Sequence, residues 1–459
     1  MATRLLVLAA GKGTRMKSAM PKVLHALAGK PLLAHVLDTI STLNPASATV
    51  VIGHGAEQVK QTITQRMGST PSLSINWALQ EQQLGTGHAV QQALDGIADD
   101  DTVLITYGDV PLTRASTYQA LLDVCNDQTI GLLTLLMDDP SGYGRIMRQA
   151  GAIVGVVEQK DATPDQLGIS EVNAGVVCIK GGTLKSLLAR LTNDNAQGEY
   201  YLTDIHALAV RDGLQIQAVH PTDPWETDGV NSRSQLARLE RLHQQHLAEQ
   251  LMVSGVTLAD PARIDVRGSL KTGVDVCIDI NCVFEGNCTI GDNVHIGPNC
   301  VITNSHIADN CVLLANCVVE DAMLGHNSTV GPFARLRPGT VLAGANRIGN
   351  FVETKNARIG ERSKVNHLSY VGDAMVGENV NIGAGTITCN YDGANKHTTT
   401  IEDDVFVGSN SALVAPVTIA KGATVGAGST ITRNIQSARL SLTRGRQVDI
   451  ESWTRPVKK

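Results

Sequence analysis

A large apolar residue recurs every six positions through most of the second half of this 459-residue chain. The series starts at Ile278, Phe284, Ile290, Ile296 and Ile302 and, with occasional one-residue slips, continues to Ile431. Helices repeat at 3.6 residues and ordinary strands at two, so neither explains a sustained period of six. A short strand and a turn, stacked on copies of themselves, would place each apolar residue above its predecessor. The repeat therefore predicts a parallel β-helix.

The cysteines follow the same repeat. Seven of the nine lie after residue 252, and five occupy the small fifth position of a hexad, namely Cys282, Cys288, Cys300, Cys311 and Cys317. No CxxC pair occurs, which argues against a zinc site. We interpret these five residues as small, buried and free.

The first half has a different pattern, in which buried strands alternate with helices. Apolar runs at 5–10, 49–52 and 102–106 predict strands, and periodic stretches at 32–40 and 88–94 predict helices. Such alternation indicates an α/β fold with a mainly parallel sheet. Ligands in such folds bind beyond the carboxyl ends of the strands.

The loop after the first strand reads Leu-Ala-Ala-Gly-Lys-Gly-Thr-Arg-Met over residues 8–16, and Pro21-Lys22 follow. Its glycines would let backbone N–H groups approach phosphate oxygens, and Arg15 and Lys22 would supply positive charge. The loop is not a dinucleotide fingerprint, because Met16 stands where the last glycine is required. Alone, such a turn is as compatible with plain structure as with a phosphate site.

A carboxylate follows another predicted strand directly, in Tyr107-Gly108-Asp109. This is a suitable place for Mg²⁺, which uses one or two protein ligands plus substrate phosphates, although a lone Asp is often only a turn residue. Further polar loops lie near Gln80, 84–88, 141–145, 157–160, 172–175 and 229–231.

In order and spacing, these motifs resemble the sugar-nucleotide pyrophosphorylase family, whose signature is LxxGxGTRM followed by PK. With the hexapeptide repeat behind them, nearly the whole chain resembles the bacterial family of bifunctional N-acetylglucosamine-1-phosphate uridyltransferases and glucosamine-1-phosphate N-acetyltransferases. The resemblance implies a Rossmann-like nucleotidyltransferase domain at 1–231 and a left-handed β-helix acetyltransferase domain at 253–459. A capping-box pattern at 232–235 and leucines at helical spacing predict a linker helix at 232–252.

For the first domain, the resemblance implies uridylyl transfer from UTP to N-acetylglucosamine 1-phosphate with release of pyrophosphate. Asp109 and Asn231 would hold Mg²⁺, and Arg15 and Lys22 would stabilise the transition state. The expected nucleotide and sugar-phosphate contacts are Leu8, Ala9, Ala10, Gly11, Lys22, Gln80, Gly85, Thr86, Tyr107, Gly108, Asp109, Gly144, Glu158, Asn173 and Asn231.

The β-helix carries polar breaks at 335–339, 351–355, 364–370 and 388–396, which a stacked scaffold does not need. The resemblance makes His367 the general base that lets glucosamine 1-phosphate take an acetyl group from acetyl-coenzyme A. Arg337, Lys355, Tyr370 and Asn381 match the sugar-phosphate contacts. The coenzyme contacts match Ala384, Asn390, Tyr391, Lys396, Ser409, Ala427 and Arg444, with Arg446 as an alternative to Arg444.

Together these implications predict a cytoplasmic enzyme that makes UDP-N-acetylglucosamine for peptidoglycan and lipopolysaccharide, and whose family members are homotrimers. A net charge of −6 argues against a nucleic-acid partner, and no apolar run is long enough for a membrane span. The N-terminal segment lacks a signal-peptide pattern. Two alternatives remain, namely a pyrophosphorylase whose β-helix is only a scaffold or regulatory domain, and a non-enzymatic binding solenoid.

Overall fold

The computed structural model describes residues 2–67 and 73–458. The chain forms two compact units, Met1–His243 and Gln244–Lys459. In the part of the chain that is described, no helix has both the length and the apolar character needed to cross a membrane.

The first unit is built on a mixed nine-stranded sheet. Its strands, together with a small hairpin of β2 and β3, are β1 (Thr3–Leu8), β2 (Ala26–Leu27), β3 (Lys30–Pro31), β4 (Ser47–Ile52), β5 (Ile75–Leu79), β6 (Thr102–Tyr107), β7 (Thr129–Leu136), β8 (Arg145–Gln149), β9 (Ala152–Val157), β10 (Glu171–Lys180) and β11 (Gln215–Val219). The strand order is β11-β7-β10-β6-β1-β4-β5, with β8 and β9 attached to β10. Strand β1 is parallel to β4 and β6, whereas β10 runs antiparallel to β6 and β7.

Helices join these strands. They are α1 (Leu32–Ser41), α2 (Ala56–Met67), α3 (Thr86–Gln91), α4 (Ala115–Val124), α5 (Pro164–Leu167), α6 (Gly181–Leu188), α7 (Asp204–Arg211) and α8 (Arg233–Val253), with short 3₁₀ turns at Thr14–Met16, Lys22–Leu24, Pro224–Thr227 and Pro261–Arg263. Helix α8 belongs to the first unit as far as His243 and to the second unit from Gln244.

Strand β1 shows why this sheet is central. Leu5, Leu6 and Val7 are fully buried although their side chains alternate between the two faces of the sheet. A strand that is buried on both faces must be covered by helices on both sides, as parallel strands are. This arrangement confirms the predicted α/β fold, and it brings the carboxyl ends of β1, β4, β5 and β6 to one edge.

The second unit is a stack of short parallel strands in two sheets. The eleven-stranded sheet contains Thr257–Leu258, Cys277–Ile278, His295–Ile296, Val312–Leu313, Thr329–Val330, Arg347–Asn350, Lys364–His367, Asn381–Ile382, Phe406–Val407, Thr424–Val425 and Leu440–Ser441. The fifteen-stranded sheet contains Ile264–Thr272, Cys282–Ile290, Val301–Thr303, His306–Ile307, Val318–Glu320, Met323–Leu324, Arg335–Leu336, Val341–Leu342, Glu353–Ile359, Tyr370–Val376, Ile387–Cys389, Thr399–Ile401, Ala412–Val414, Val417–Ile419 and Thr430–Ile431.

The strand register shows how the sequence repeat becomes a coil. Ile278 pairs with Ile296, so this coil is three hexads long. Ile296 pairs with Leu313, and this coil is shorter because it contains a slip of the repeat. Ile382 pairs with Val407, so the longest polar break lies within one coil and lengthens it. The predicted left-handed parallel β-helix is confirmed.

The interior of the β-helix holds the large apolar residues of the repeat, with buried Ser, Thr and Asn side chains among them. The five cysteines of the repeat are at most 1% exposed and free, as predicted. Two hexads instead place a buried threonine inside the stack, Thr354 and Thr388. The stack therefore continues through Thr388, and the polar loop begins only after Cys389.

Candidate active sites

Beyond the carboxyl ends of β1 and β6 lies a cavity of about 710 Å³. Arg15 lines this cavity, together with every residue predicted for the nucleotide and sugar phosphate except Gly108. Gly108 lies behind the wall, where its N–H donates to the Leu8 carbonyl at 2.9 Å. The strand ends thus gather residues that are far apart in sequence.

Gly13 shapes the loop that follows β1. Its φ is +60°, and a Cβ atom there would lie 2.6 Å from the Cβ of Lys22. Any side chain would therefore displace Lys22, which explains why the second glycine of the loop is needed.

Lys22 lies between the two residues that were predicted to bind a metal. Its Nζ donates to Asp109 Oδ2 and, at 3.0 Å, to Asn231 Oδ1. The side chains of Lys22 and Asp109 are only 13% and 14% exposed. Two oxygens thus converge on one cationic group, and a carboxylate with an amide oxygen is a donor set that suits Mg²⁺. Across the described ranges, no three His, Cys, Asp or Glu residues gather as a metal cluster, so any magnesium here would depend on substrate phosphates for further ligands.

Helix α8 begins two residues after Asn231, and its first turn fixes the backbone of Asn231. Ser232 Oγ accepts a hydrogen bond from the Gln235 N–H at 3.3 Å, as a capping box requires. The side chain of Gln235, however, accepts from the N–H of Asn231 at 2.9 Å instead of from that of Ser232. Gln235 also lines the cavity. The sequence pattern found the cap but missed the link from the cap to Asn231.

Glu158 also lines the cavity and presents a partly buried carboxyl group there. Its Oε1 accepts from Thr203 Oγ1 at 2.9 Å. Burial raises the pKa of Glu158, and the neighbouring Asp204 and Asp161 raise it further. A carboxyl group with acidic neighbours suits the hydroxyl groups of a sugar better than a phosphate.

Three residues after Glu158 hold two loops of the cavity wall. Gln159 Oε1 accepts from the Gly142 N–H, and Asp161 Oδ1 accepts from the Ala196 N–H at 2.9 Å. Lys160 Nζ donates to Gln197 Oε1. Sequence reasoning found only part of this wall, because its contacts form where three distant loops meet.

In the second unit, five predicted residues and one unpredicted carboxylate form a polar cluster. Arg337 Nη1 donates to Glu353 Oε1 at 2.8 Å, and this contact raises the pKa of Arg337. Glu353 is in register with Tyr370, whose hydroxyl accepts from Asn390 Nδ2 at 3.4 Å. The ammonium of Lys396 lowers the pKa of Lys355.

Asp373 lies behind this cluster and was not predicted from the sequence. It is 9% exposed, it accepts from Asn356 Nδ2 at 2.7 Å and from Asn390 Nδ2, and the charges of Lys396 and Lys355 favour its ionised form. A buried carboxylate needs such donors and nearby cations, and these contacts fix the side chain of Asn390.

His367 lies in a column of residues that runs along the β-helix axis. The register pairs of Val365, Ile382, Val407 and Val425 place His367, Ala384, Ser409 and Ala427 at equivalent points of successive coils. Arg444 Nη1 donates to the Ala427 carbonyl at 3.3 Å. Because parallel strands lie about 4.8 Å apart, three coils span about 14 Å. The side chains between this histidine and this arginine are small, so we interpret the column as a shallow groove for an elongated ligand.

Asn381 does not join Arg337 and Lys355 within one chain. It belongs to the eleven-stranded sheet, in register with Lys364, whereas Lys355 belongs to the fifteen-stranded sheet. Asn381 lines a separate cavity of about 350 Å³ with Arg347, Arg362 and Lys364.

Comparison with known proteins agrees with both units. Residues 5–140 match the MobA-like NTP transferase domain, residues 267–348 the GMPPB C-terminal domain, and residues 398–433 the bacterial transferase hexapeptide of six repeats. The chain is 55% identical over 455 residues to the bifunctional protein GlmU of Marinobacter nauticus, which covers 99% of each chain. The bifunctional protein GlmU of Burkholderia vietnamiensis is 53% identical over 456 residues, again over 99% of each chain.

The chain belongs to the bifunctional GlmU family. It is an enzyme with a nucleotidyltransferase domain and a hexapeptide-repeat transferase domain, as the sequence motifs predicted. A scaffold or a binding solenoid would not need the polar cluster of Tyr370 and Asn390 or a histidine at the position of His367.

Proposed function

We infer that this chain makes UDP-N-acetylglucosamine in two steps, by acetyl transfer in the β-helix unit and then uridylyl transfer in the α/β unit. The observation that carries this inference is family membership over 99% of the chain, combined with one polar cluster in each unit. We take 1–231, 232–252 and 253–459 as the functional segments. Its substrates, UTP and acetyl-coenzyme A, are consistent with a cytoplasmic enzyme.

In uridylyl transfer, an oxygen of N-acetylglucosamine 1-phosphate attacks the α-phosphorus of UTP, and pyrophosphate leaves. Such a reaction requires in-line positioning and neutralisation of negative charge more than a protein nucleophile. Arg15 and Lys22 supply positive charge on the wall of the cavity, and Glu158 and Asn173 orient the sugar. Asp109 and Asn231 would hold Mg²⁺, which when bound neutralises phosphate charge.

In acetyl transfer, Arg337 and Lys355 bind the phosphate of glucosamine 1-phosphate, and Tyr370 orients the sugar. His367 Nε2 takes a proton from the amine as the amine nitrogen bonds to the thioester carbonyl carbon. The carbon–sulfur bond then breaks, and the coenzyme thiolate receives the proton from the imidazolium. The groove of Ala384, Ser409 and Ala427 would hold the coenzyme, with Arg444 at its end, while Asn390, Tyr391 and Lys396 contact it from the inserted loop.

We also propose a homotrimer with this second site between neighbouring β-helices. Such an assembly would let one copy supply Asn381 to the Arg337 and Lys355 cluster of another. Sedimentation analysis of the purified protein tests this proposal, and a stable monomer with full acetyl transfer would contradict it.

The decisive experiment assays both half-reactions in Asp109→Ala and His367→Ala. We expect Asp109→Ala to lose uridylyl transfer and keep acetyl transfer, and His367→Ala to show the opposite pattern. Asp127→Ala and His295→Ala change exposed residues of the same units and should leave both activities intact. Full acetyl transfer by His367→Ala would refute the assignment of the base and would favour a β-helix that acts only as a scaffold.

A further inference from the structure

His367 has a neighbour in its column on the side away from the groove. Strand Arg347–Asn350 pairs with strand Lys364–His367, and Asn350 is directly in register with His367. In parallel in-register strands, side chains at paired positions lie side by side about 4.8 Å apart. The column therefore reads Asn350, His367 and Ala384, with an amide on one side of the imidazole and a methyl group on the other.

The two side chains make a direct hydrogen bond. His367 Nδ1 lies 2.9 Å from Asn350 Oδ1. An amide oxygen can only accept, so this contact is a hydrogen bond in the tautomer that carries the proton on Nδ1, and the lone pair of the neutral imidazole is then on Nε2. Within the described residues, Nε2 of His367 has no hydrogen-bond partner, and its side chain is exposed.

This arrangement is what a general base requires. A base must be in the tautomer whose lone pair faces the substrate, and a third group that holds the other nitrogen fixes that tautomer and the ring orientation. Asn350 is neutral, so it can orient the ring without adding a negative charge beside it.

We propose that Asn350 is the positioning residue of acetyl transfer, and that it holds His367 with Nε2 free to accept a proton. This proposal rests on the proposed role of His367 as the base. It assigns a function to a residue that the sequence motifs did not identify.

The test compares Asn350→Leu, which is close in size but has no acceptor, with Asn350→Asp, which keeps one. For Asn350→Leu we expect kcat of acetyl transfer to fall by about 10- to 100-fold, the range known for partners that orient metal-bound histidines, with both KM values and uridylyl transfer unchanged. Asn350→Asp should retain activity.

Asn287→Leu is the matched control. Asn287 is exposed, whereas Asn350 is half-buried, and Asn287 Oδ1 accepts one hydrogen bond at 2.9 Å from Ser269 on the neighbouring coil. This variant should keep full acetyl transfer, which would show that loss of such a bond does not by itself inactivate the β-helix. Equal losses in Asn287→Leu and Asn350→Leu, or full kcat in Asn350→Leu, would overturn the proposal.

A second measurement does not depend on activity. Imidazole ¹⁵N spectra, with the His367 signals identified by their loss in His367→Ala, report which nitrogen carries the proton. We expect protonated Nδ1 in the neutral wild-type ring and loss of that preference in Asn350→Leu. A wild-type His367 protonated on Nε2 would refute the contact. If His367→Ala kept acetyl transfer, the base assignment would fail, while the spectra would still decide whether Asn350 fixes the tautomer.

Discussion

Glu158 keeps a carboxyl group in a place where ionisation is unfavourable. Burial raises its pKa above the ordinary 4.5, so the folded protein holds this proton more tightly than the unfolded chain. This difference contributes to the free energy of unfolding below pH 4.5, and the contribution is lost as the pH rises through the raised pKa of Glu158 in the folded protein. Glu158 therefore destabilises the first unit at neutral pH, as a residue retained for binding can.

We predict that Glu158→Gln raises the unfolding temperature of the first unit at pH 7 to 8 and has little effect near pH 4. Glutamine keeps an oxygen that can accept from Thr203. Thermal unfolding followed by the fluorescence of Trp77 and Trp225, which lie in this unit, measures the difference. Glu81→Gln, at an exposed glutamate, should change nothing. A stability gain that is independent of pH would contradict this account.

At the residue scale, the motifs contain residues that the fold does bring together. Lys22 and Asp109 follow predicted strands, and the sheet brings them into contact. The motifs did not identify Asn350, Gln235 and Asp373. The roles of Asn350 and Asp373 depend on pairings between coils, and the role of Gln235 depends on a cap that extends one residue further than expected. A slip of one residue in a coil changes which side chains are neighbours, so spacing alone could not pair Asn350 with His367.

At the scale of elements, the column after His367 combines regular stacking with small side chains. The hexapeptide period predicts that equivalent positions stack, but not which column stays open. A larger side chain at Ala427 would fill the groove without disturbing the core, because Ala427 is exposed.

We predict that Ala427→Leu raises KM for acetyl-coenzyme A by about 10-fold or more, which corresponds to a steric penalty of about 1–3 kcal/mol. Uridylyl transfer should not change. Steady-state kinetics of both half-reactions measure this effect. Ala315→Leu is the control, because Ala315 lies on the other side of His367. Its carbonyl, like that of Ala384, accepts a hydrogen bond from the corner residue of the next coil. If both leucine variants raised KM equally, the groove assignment would be wrong.

At the scale of the whole molecule, the buried residues fall into separate cores. One cluster runs from Ala248 to Ile435 within the β-helix unit, and the others lie between Leu5 and Leu239. Units whose hydrophobic cores share no residues can unfold in separate transitions, and a ligand stabilises only the unit to which it binds.

Calorimetry of the intact chain should therefore show two transitions. UTP with Mg²⁺ should stabilise one of the two units and acetyl-coenzyme A the other. In each case the free energy of unfolding should rise by about 2.7 kcal/mol at a ligand concentration of 100 Kd. Asp109→Ala should abolish the first shift and leave the second. A single transition that both ligands raise would show that the two cores unfold together.

The lengthened coil between Ile382 and Val407 has a consequence for how such a molecule can acquire new parts. From Ile296 to Ile382 each coil is three hexads long or slightly shorter, and the next coil adds a loop that carries Asn390, Tyr391 and Lys396. The entropy of closing a loop grows only with the logarithm of its length, so this extension costs about 0.3 kcal/mol. The corners of this β-helix are therefore inexpensive sites for insertions, so natural variation could add a ligand-binding loop to one coil while its neighbours kept their register.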